Sequence, residues 1–276
     1  MWYNWCIIKQ KFYRVKNRGS FFYWGKIKMS VKIYLAATSH VKTPIVDKLK
    51  PHYLLESFMD IKSDTEKTNK YVDWCLKADG FLLDSGAFAF MNGNMATKND
   101  INIEDYVKKY INFINKKDIS SFFEMDLDCV LSYDSVKQIR EEIEQGTGKP
   151  TIPVWHKSRG IDEWYRLTEK YSYVAIGGIA AKEIKRSEWG MFNEMVSIAH
   201  KNDCLVHGLG FLPLDYLNNN ICPFDTVDGT SWQGHMRGQC YVLNNDILIK
   251  YKDDRYWKDI AHDCFKSWTE FSILKG

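Results

Sequence analysis

Eight short runs of apolar, β-branched and aromatic residues punctuate this chain. Most are followed by a segment whose apolar residues recur every three or four positions. The runs are Val31–Ala36, Tyr53–Ser57, Phe81–Leu83, Phe122–Leu127, Ile152–Val154, Tyr173–Ile176, Leu205–Gly208 and Phe224–Val227. Between them, Ile103 to Ile114 puts Ile103, Tyr106, Val107, Tyr110, Ile111 and Ile114 on one helical face, and Tyr133 to Glu144 does the same with Val136, Ile139 and Ile143. Asp162 to Tyr171 and Trp189 to His200 read similarly, and a short helix is expected at Pro44–Lys50. Strands that alternate with helices pair in parallel through right-handed crossovers. Eight such units predict an α/β fold, a (β/α)8 barrel, in one domain over residues 29–276, a normal size for that architecture. Residues 240–276 read as a short hairpin or strand at Ile247–Tyr251 and a final helix. With 45% hydrophobic and 26% charged residues, the chain can bury a full core.

The net charge of +3 hides an asymmetry. Residues 1–28 hold seven basic residues and no acid, so the remainder carries 31 basic against 35 acidic residues, a net of −4. Nine of those first 28 residues are aromatic, and they show neither helical nor strand periodicity. They are expected to lie outside the fold, as an upstream reading-frame extension with Met29 the natural start. The alternative is a basic, aromatic arm that contacts nucleic acid. No apolar run approaches the roughly 18 residues of a membrane span. The seven cysteines are scattered without a CxxC, which fits reduced thiols in a cytoplasmic protein. Cys129 and Cys204 sit in apolar runs and are expected in the core, whereas Cys240, His262 and Cys264 match no standard zinc spacing.

A barrel of this kind carries its active site at the C-terminal ends of its strands. Those ends read Asp84-Ser85-Gly86-Ala87-Phe88, Glu124-Met125-Asp126-Leu127-Asp128, Val154-Trp155-His156, Ile176-Gly177-Gly178, His207-Gly208-Leu209-Gly210 and Asp225-Thr226-Val227-Asp228-Gly229. Each has an ordinary explanation. A strand-end Asp often caps the next helix, paired glycines make tight turns, and a lone histidine is commonly structural. Strand periodicity puts Glu124, Asp126 and Asp128 on one face, where they repel one another unless they bind something. Asp225 and Asp228 are three apart and point to opposite faces, so only one enters the site. Asp228, at the strand terminus, is the stronger candidate. Acids, a histidine and glycines collecting at strand ends exceed what independent accidents produce.

On these residues the chain resembles the tRNA-guanine transglycosylase superfamily. Asp84-Ser85-Gly86-Ala87-Phe88 is similar to its Asp-Ser-Gly-Gly-Phe motif, and Met125-Asp126-Leu127-Asp128-Cys129 to its Phe-Asp-Glu-Cys strand. Ala175-Ile176-Gly177-Gly178-Ile179-Ala180 resembles Ala-Ile-Gly-Gly-Leu-Ala, and His207-Gly208-Leu209-Gly210 with Pro213 resembles Met-Gly-Val-Gly-Thr-Pro. Phe224-Asp225-Thr226-Val227-Asp228 resembles the Ile-Asp-x-Phe-Asp segment that ends in the nucleophile; matching Phe-Asp-Thr-Val to Phe-Asp-Cys-Val selects Asp225 instead. The matches keep the family's order over residues 81–229. The family's CxCxxC…His zinc site is absent, and Gly229-Thr230-Ser231-Trp232 stands where the family has Pro-Thr-Arg. The chain is most similar to the branch that inserts 7-deazaguanines into DNA, found in some phages and bacterial modification clusters.

The resemblance implies an enzyme that exchanges guanine in DNA, or alternatively in tRNA, for a free 7-deazaguanine base, in the cytoplasm, or the host cytoplasm if phage-encoded. It implies no metal or cofactor. Asp228, or Asp225, is then the nucleophile and Asp84 the general acid/base. Ser85, Asp126, Asp128, His156, Gly177, Gly178 and Gly208 are the candidate base-binding residues, with Trp155 or Phe88 placed to stack. The mild acidity of 29–276 argues against broad phosphate contact. Local clusters at Lys157/Arg159, Lys182/Lys185/Arg186 and Arg237 are the candidate nucleic-acid contacts. A different barrel enzyme, a metal-assisted hydrolase using Glu124, Asp126, Asp128 and His156, is the competing reading.

Overall fold

A computed structural model describes residues 30–40, 52–87 and 102–276. The expected extension 1–28, the helix at Pro44–Lys50 and Phe88 lie outside the described residues. Seven parallel strands form one curled sheet, like half of a barrel, in the order β3-β2-β1-β7-β6-β5-β4. They are β1 Lys32–Ala36, β2 Tyr53–Ser57, β3 Gly80–Asp84, β4 Val154–Trp155, β5 Tyr173–Ile176, β6 Leu205–Gly208 and β7 Thr226–Gly229. Among the described residues eight α-helices accompany them: α1 Phe58–Ile61, α2 Glu66–Cys75, α3 Ile103–Lys117, α4 Tyr133–Thr147, α5 Ile161–Lys170, α6 Met191–His200, α7 Leu214–Asn218 and α8 Trp257–Lys275. The helix starts follow capping chemistry. Thr65, Asn102 and Ser132 side chains accept from backbone N–H groups three residues on, which satisfies donors the helix itself leaves open.

The expected fourth strand, Phe122–Leu127, contracts to two isolated bridges, Leu83↔Phe122 and Phe123↔Ile152. These link the segment to both edges of the sheet. Phe123 N donates to Leu83 O (2.9 Å) on one side, and Ile152 N donates to Phe122 O (2.8 Å) on the other. Glu124 N still donates to Ile152 O (3.0 Å); beyond it the backbone leaves the ladder, and Leu127 N turns back to Met125 O. The fifth and eighth strands are also shifted towards their C-terminal ends relative to the apolar runs. Ile247–Tyr251 is confirmed as strand β9, Ile247–Lys252, whose antiparallel partner β8, Gln239–Asn244, carried no clear signal.

Side-chain parity divides the interior. One face of the sheet sends Tyr34, Ala36, Leu55, Leu82, Phe123, Val154 and Ala175 into a small inner cluster. The other face, with Ile33, Leu35, Leu54, Leu83, Val174, Ile176, Val206 and Val227, packs on the helices. Helix α8 covers β1 and β8 with Ile260, Ala261, Cys264, Phe265, Trp268 and Phe271, all buried. Its final turn returns to the start of β1, where Lys275 O accepts from Val31 N (2.9 Å). The N-terminus of α8 therefore sits at the opposite end, with the C-terminal ends of the strands. No helix among the described residues is long and apolar enough to cross a membrane.

Candidate active site

A cavity of about 410 Å3 opens at the C-terminal ends of the strands. Asp84, Asp126, His156, Gly177, Gly178, Glu183 and Asp228 line it together. Parity explains the meeting. Asp84 follows Leu82, Gly177 follows Ala175, and Asp228 follows Thr226, each two positions beyond a residue that faces the inner side. A second cavity, about 360 Å3, lies between α4 and α5 and is lined by Lys137, Arg140, Glu163 and Lys170. None of the strand-end acids lines it.

Asp84 ends β3, and its Oδ2 accepts from Gly86 N (2.9 Å). Burial, then the charge of Asp126 and that of Asp228, outweigh this bond and push the carboxyl up to about 7. It holds its proton in the range where an acid catalyst works. Asp126 Oδ2 faces His156 Nε2 at 2.8 Å, and His156 Nδ1 lies 3.3 Å from Glu183 Oε2. Burial opposes a charged ring, but the hydrogen bond and charge of Asp126 win and raise His156 to about 9. The imidazolium is therefore held between two carboxylates. Gly177 makes room for it. A Cβ at that position would lie 2.8 Å from the His156 ring and 2.8 Å from Val154 Cγ1. Gly178 adopts φ +74°, and a Cβ there would meet Glu183 Oε2 at 2.7 Å.

Asp228 is anchored through one oxygen. Its Oδ1 accepts from Gly210 N (2.7 Å) and from His207 Nε2 (3.2 Å). Behind it runs a buried relay. His207 Nδ1 meets Thr226 Oγ1 (2.7 Å), and Thr226 Oγ1 meets Tyr173 OH (2.6 Å). If Tyr173 donates to Thr226, Thr226 to Nδ1 and Nε2–H to Asp228, every member is satisfied. His207 carries no assigned role in the sequence reading. The available signal was its parity, since it shares a face with Thr226 across the β6–β7 register.

Other candidates fall elsewhere. Asp225 has the opposite parity. Its carboxylate accepts from Val206 N (2.7 Å) and pairs with His200 Nε2 (2.9 Å), away from the cavity, which corrects its candidacy as nucleophile. Glu124, Asp126 and Asp128 do not share a face, because the chain stops being a strand after Phe123. Glu124 is fully buried and accepts from Val154 N (2.7 Å) and Arg159 Nη1 (2.7 Å), with Arg140 Nε 2.8 Å away. Asp128 receives Arg159 Nε (2.9 Å) and Nη2 (2.6 Å) as a two-pronged pair. Asp128 is therefore no base-binding residue, and Arg159, whose side chain is 1% exposed, is no nucleic-acid contact.

Ser85 Oγ accepts from Ala87 N, and the residue is buried off the cavity lining. Gly208 is outside the lining too, its Cα pressed on the Phe224 ring, where a Cβ would come within 2.5 Å. Trp155 is core, donating Nε1–H to Gly160 O and packing edge-on to Trp164. Cys204 is buried, but Cys129 is exposed on the turn after Leu127. Lys157 pairs with Glu188 (2.5 Å) and Arg186 with Asp215 (2.5 Å), whereas Lys182, which follows the cavity-lining Ala180–Ala181, and Arg237 are exposed and outside the described lining. Among the described residues no three His, Cys, Asp or Glu side chains are grouped as a metal site. The quartet of the competing hydrolase reading is split, two of its acids being committed to Arg159.

Neither the protein-family models nor the curated proteins include a match to this chain.

Proposed function

We propose that the chain is a (β/α)8-barrel transglycosylase that exchanges guanine in DNA for a 7-deazaguanine base through a covalent Asp228–sugar intermediate. The observation that carries this reading is the convergence of Asp84, Asp126 and Asp228, from three separate strand ends, on one cavity. The bridges that join residues 122 and 123 to both sheet edges support the barrel, with that segment as a shortened fourth stave. Thr230 and Ser231 line the cavity, and Trp232 Nε1 donates to Ala36 O (2.8 Å), so the stretch that departs from the family's Pro-Thr-Arg forms cavity wall.

The chemistry balances with these groups alone. An Asp228 oxygen attacks C1′ opposite the base, forming a C–O bond as the C1′–N9 bond breaks. The bonding pair leaves with guanine, which takes a proton from Asp84. A 7-deazaguanine then enters, its N9–H proton passes to Asp84, and N9 displaces Asp228 from C1′. Asp126, held by His156, accepts from the N1–H and 2-amino edge of the base, and Gly178 N–H faces its O6 edge. The nucleotide must leave the duplex stack before any of this occurs.

The test is incubation of purified protein with labelled guanine and either duplex DNA or tRNA. Label entering DNA is the expected result. Label entering tRNA alone would move the substrate to tRNA, and label in neither would remove base exchange.

A pH profile checks the acid. Asp84 keeps its proton below about 7 and loses it above, so kcat/KM for guanine release is expected to fall on the alkaline side of about pH 7, approaching tenfold per pH unit. Asp84→Asn should be slow at every pH and lack that limb. A flat profile in the unsubstituted enzyme would sink the assignment.

A further inference from the structure

The rim beside β7 carries a surface the base-exchange chemistry does not use. After Asp228 the chain passes through Thr230 and Ser231 of the cavity wall, then Trp232 and Gln233, which donate to Ala36 O (2.8 Å) and Ala37 O (2.7 Å). The turn Gln233–Arg237 follows. His235 lies against Trp232 and stacks on Trp257 at the start of α8, with centroids 6.3 Å apart and planes 25° apart. Asp253 N donates to Gly238 O (3.0 Å), which fastens the end of β9 to the same place. Buried contacts thus run unbroken from the cavity wall to an outer surface.

That surface is aromatic and cationic. Tyr256 is 58% exposed, Trp257 41% and Met236 69%. Lys258 Nζ lies 5.8 Å from the Tyr256 ring centre and 5.6 Å from that of Trp257. Arg237, Lys252 and Lys258 are exposed and make no ion pair among the described residues. Arg255 takes up Asp253 and Asp263, leaving Asp254 and Asp259 as the exposed acids beside the patch. Exposed rings interleaved with unpaired cations are costly to leave in water and well suited to unstacked bases joined by phosphates.

We propose that Arg237, Lys252, Tyr256, Trp257 and Lys258 form a docking platform for DNA, holding as single strand the nucleotides that flank the extruded guanine. The inference rests on the base-exchange reading and adds the place where the polymer is held. Stacking and charge act together. The rings take neighbouring bases without regard to sequence, and the cations take their phosphates.

Two kinds of variant test it in the full chain, because Trp257 also packs on His235. Binding of a labelled single-stranded DNA oligonucleotide is followed by fluorescence anisotropy across a salt series. Tyr256→Ala with Trp257→Ala is expected to weaken binding about tenfold or more. Lys252→Glu with Lys258→Glu, at exposed positions, is expected to weaken it and to flatten the salt dependence by about 0.7 log units per lost phosphate contact. Guanine binding to the cavity, measured by calorimetry, should be unchanged in both. Variants that bind the oligonucleotide like the unsubstituted protein would overturn the platform, as would a chain that binds no oligonucleotide. An RNA oligonucleotide held more tightly through the same residues would overturn the choice of DNA. Platform-dependent DNA binding by a chain that does not bind guanine would support the platform while removing base exchange.

Discussion

Replacing Asp228 by asparagine is expected to reduce base exchange on the order of 10^4-fold or more, the scale seen when a covalent nucleophile is lost. The substitution isolates chemistry from structure. Oδ1, which accepts from Gly210 N and His207 Nε2, survives as the amide oxygen, so the loop after β6 stays fastened. What disappears is the carboxylate oxygen that the proposed reaction directs at C1′. The measurement is single-turnover release of labelled guanine from DNA, together with a denaturing gel for a trapped protein–DNA adduct. Unsubstituted protein should form the adduct and Asp228→Asn should not. The companion variant Asp225→Asn should still form it, since that carboxylate serves Val206 N and His200 outside the cavity. An adduct that persists in Asp228→Asn and vanishes in Asp225→Asn would reverse the two roles.

The second large effect is on folding. Arg159→Met is expected to lower stability by about 3–5 kcal/mol, because it takes one of two cations from the fully buried Glu124 and strands the half-buried Asp128. Arg159 spends all three guanidinium nitrogens, one on Glu124 and two on Asp128, and its Cζ lies 4.3 Å from the centre of the Tyr133 ring. Without it Glu124, fully buried, keeps Val154 N–H and Arg140 as partners, and Asp128 loses both of its bonds. Thermal denaturation should show a midpoint lower by about 10 °C in a domain of this size. Arg159→Lys should recover only part of the loss, since an ammonium cannot reproduce the fork. Asp126 lies between Glu124 and Asp128 in the chain, so its grip on His156 should loosen as well. A variant as stable as the parent but impaired in DNA binding would restore Arg159 to the surface role its sequence suggested.

That reversal shows where residue patterns stop being informative. The strands were legible because seven of the eight apolar runs overlap strands of the sheet, as continuous apolar stretches buried on both faces do. Parity also separated Asp225 from Asp228, and position at the strand terminus singled out Asp84 and Asp228. The same rule failed at Glu124, Asp126 and Asp128, since alternation holds only while the backbone remains in a ladder, and it leaves the ladder after Glu124. Arg159 looked like part of a basic rim cluster because one-dimensional charge does not reveal that Glu124 and Asp128, some thirty positions earlier, come to meet it. His207 was overlooked for the opposite reason. Its role lies in partners beneath it, Thr226 and Tyr173, which belong to other strands. Strand β8 carried a mixed pattern, with Cys240 and Tyr241 both buried, and could be placed only by pairing with β9.

The lining of the cavity has a consequence for what it admits. Among the described lining residues, Asp84, Asp126, Glu183 and Asp228 share the cavity with one basic side chain, His156. Such a lining disfavours phosphate over an uncharged heterocycle, so a bare purine is expected to bind better than a mononucleotide. Under the proposed base exchange the same field would act on a polymer as a sieve. One nucleobase would cross the threshold while the charged thread on either side of it stays outside.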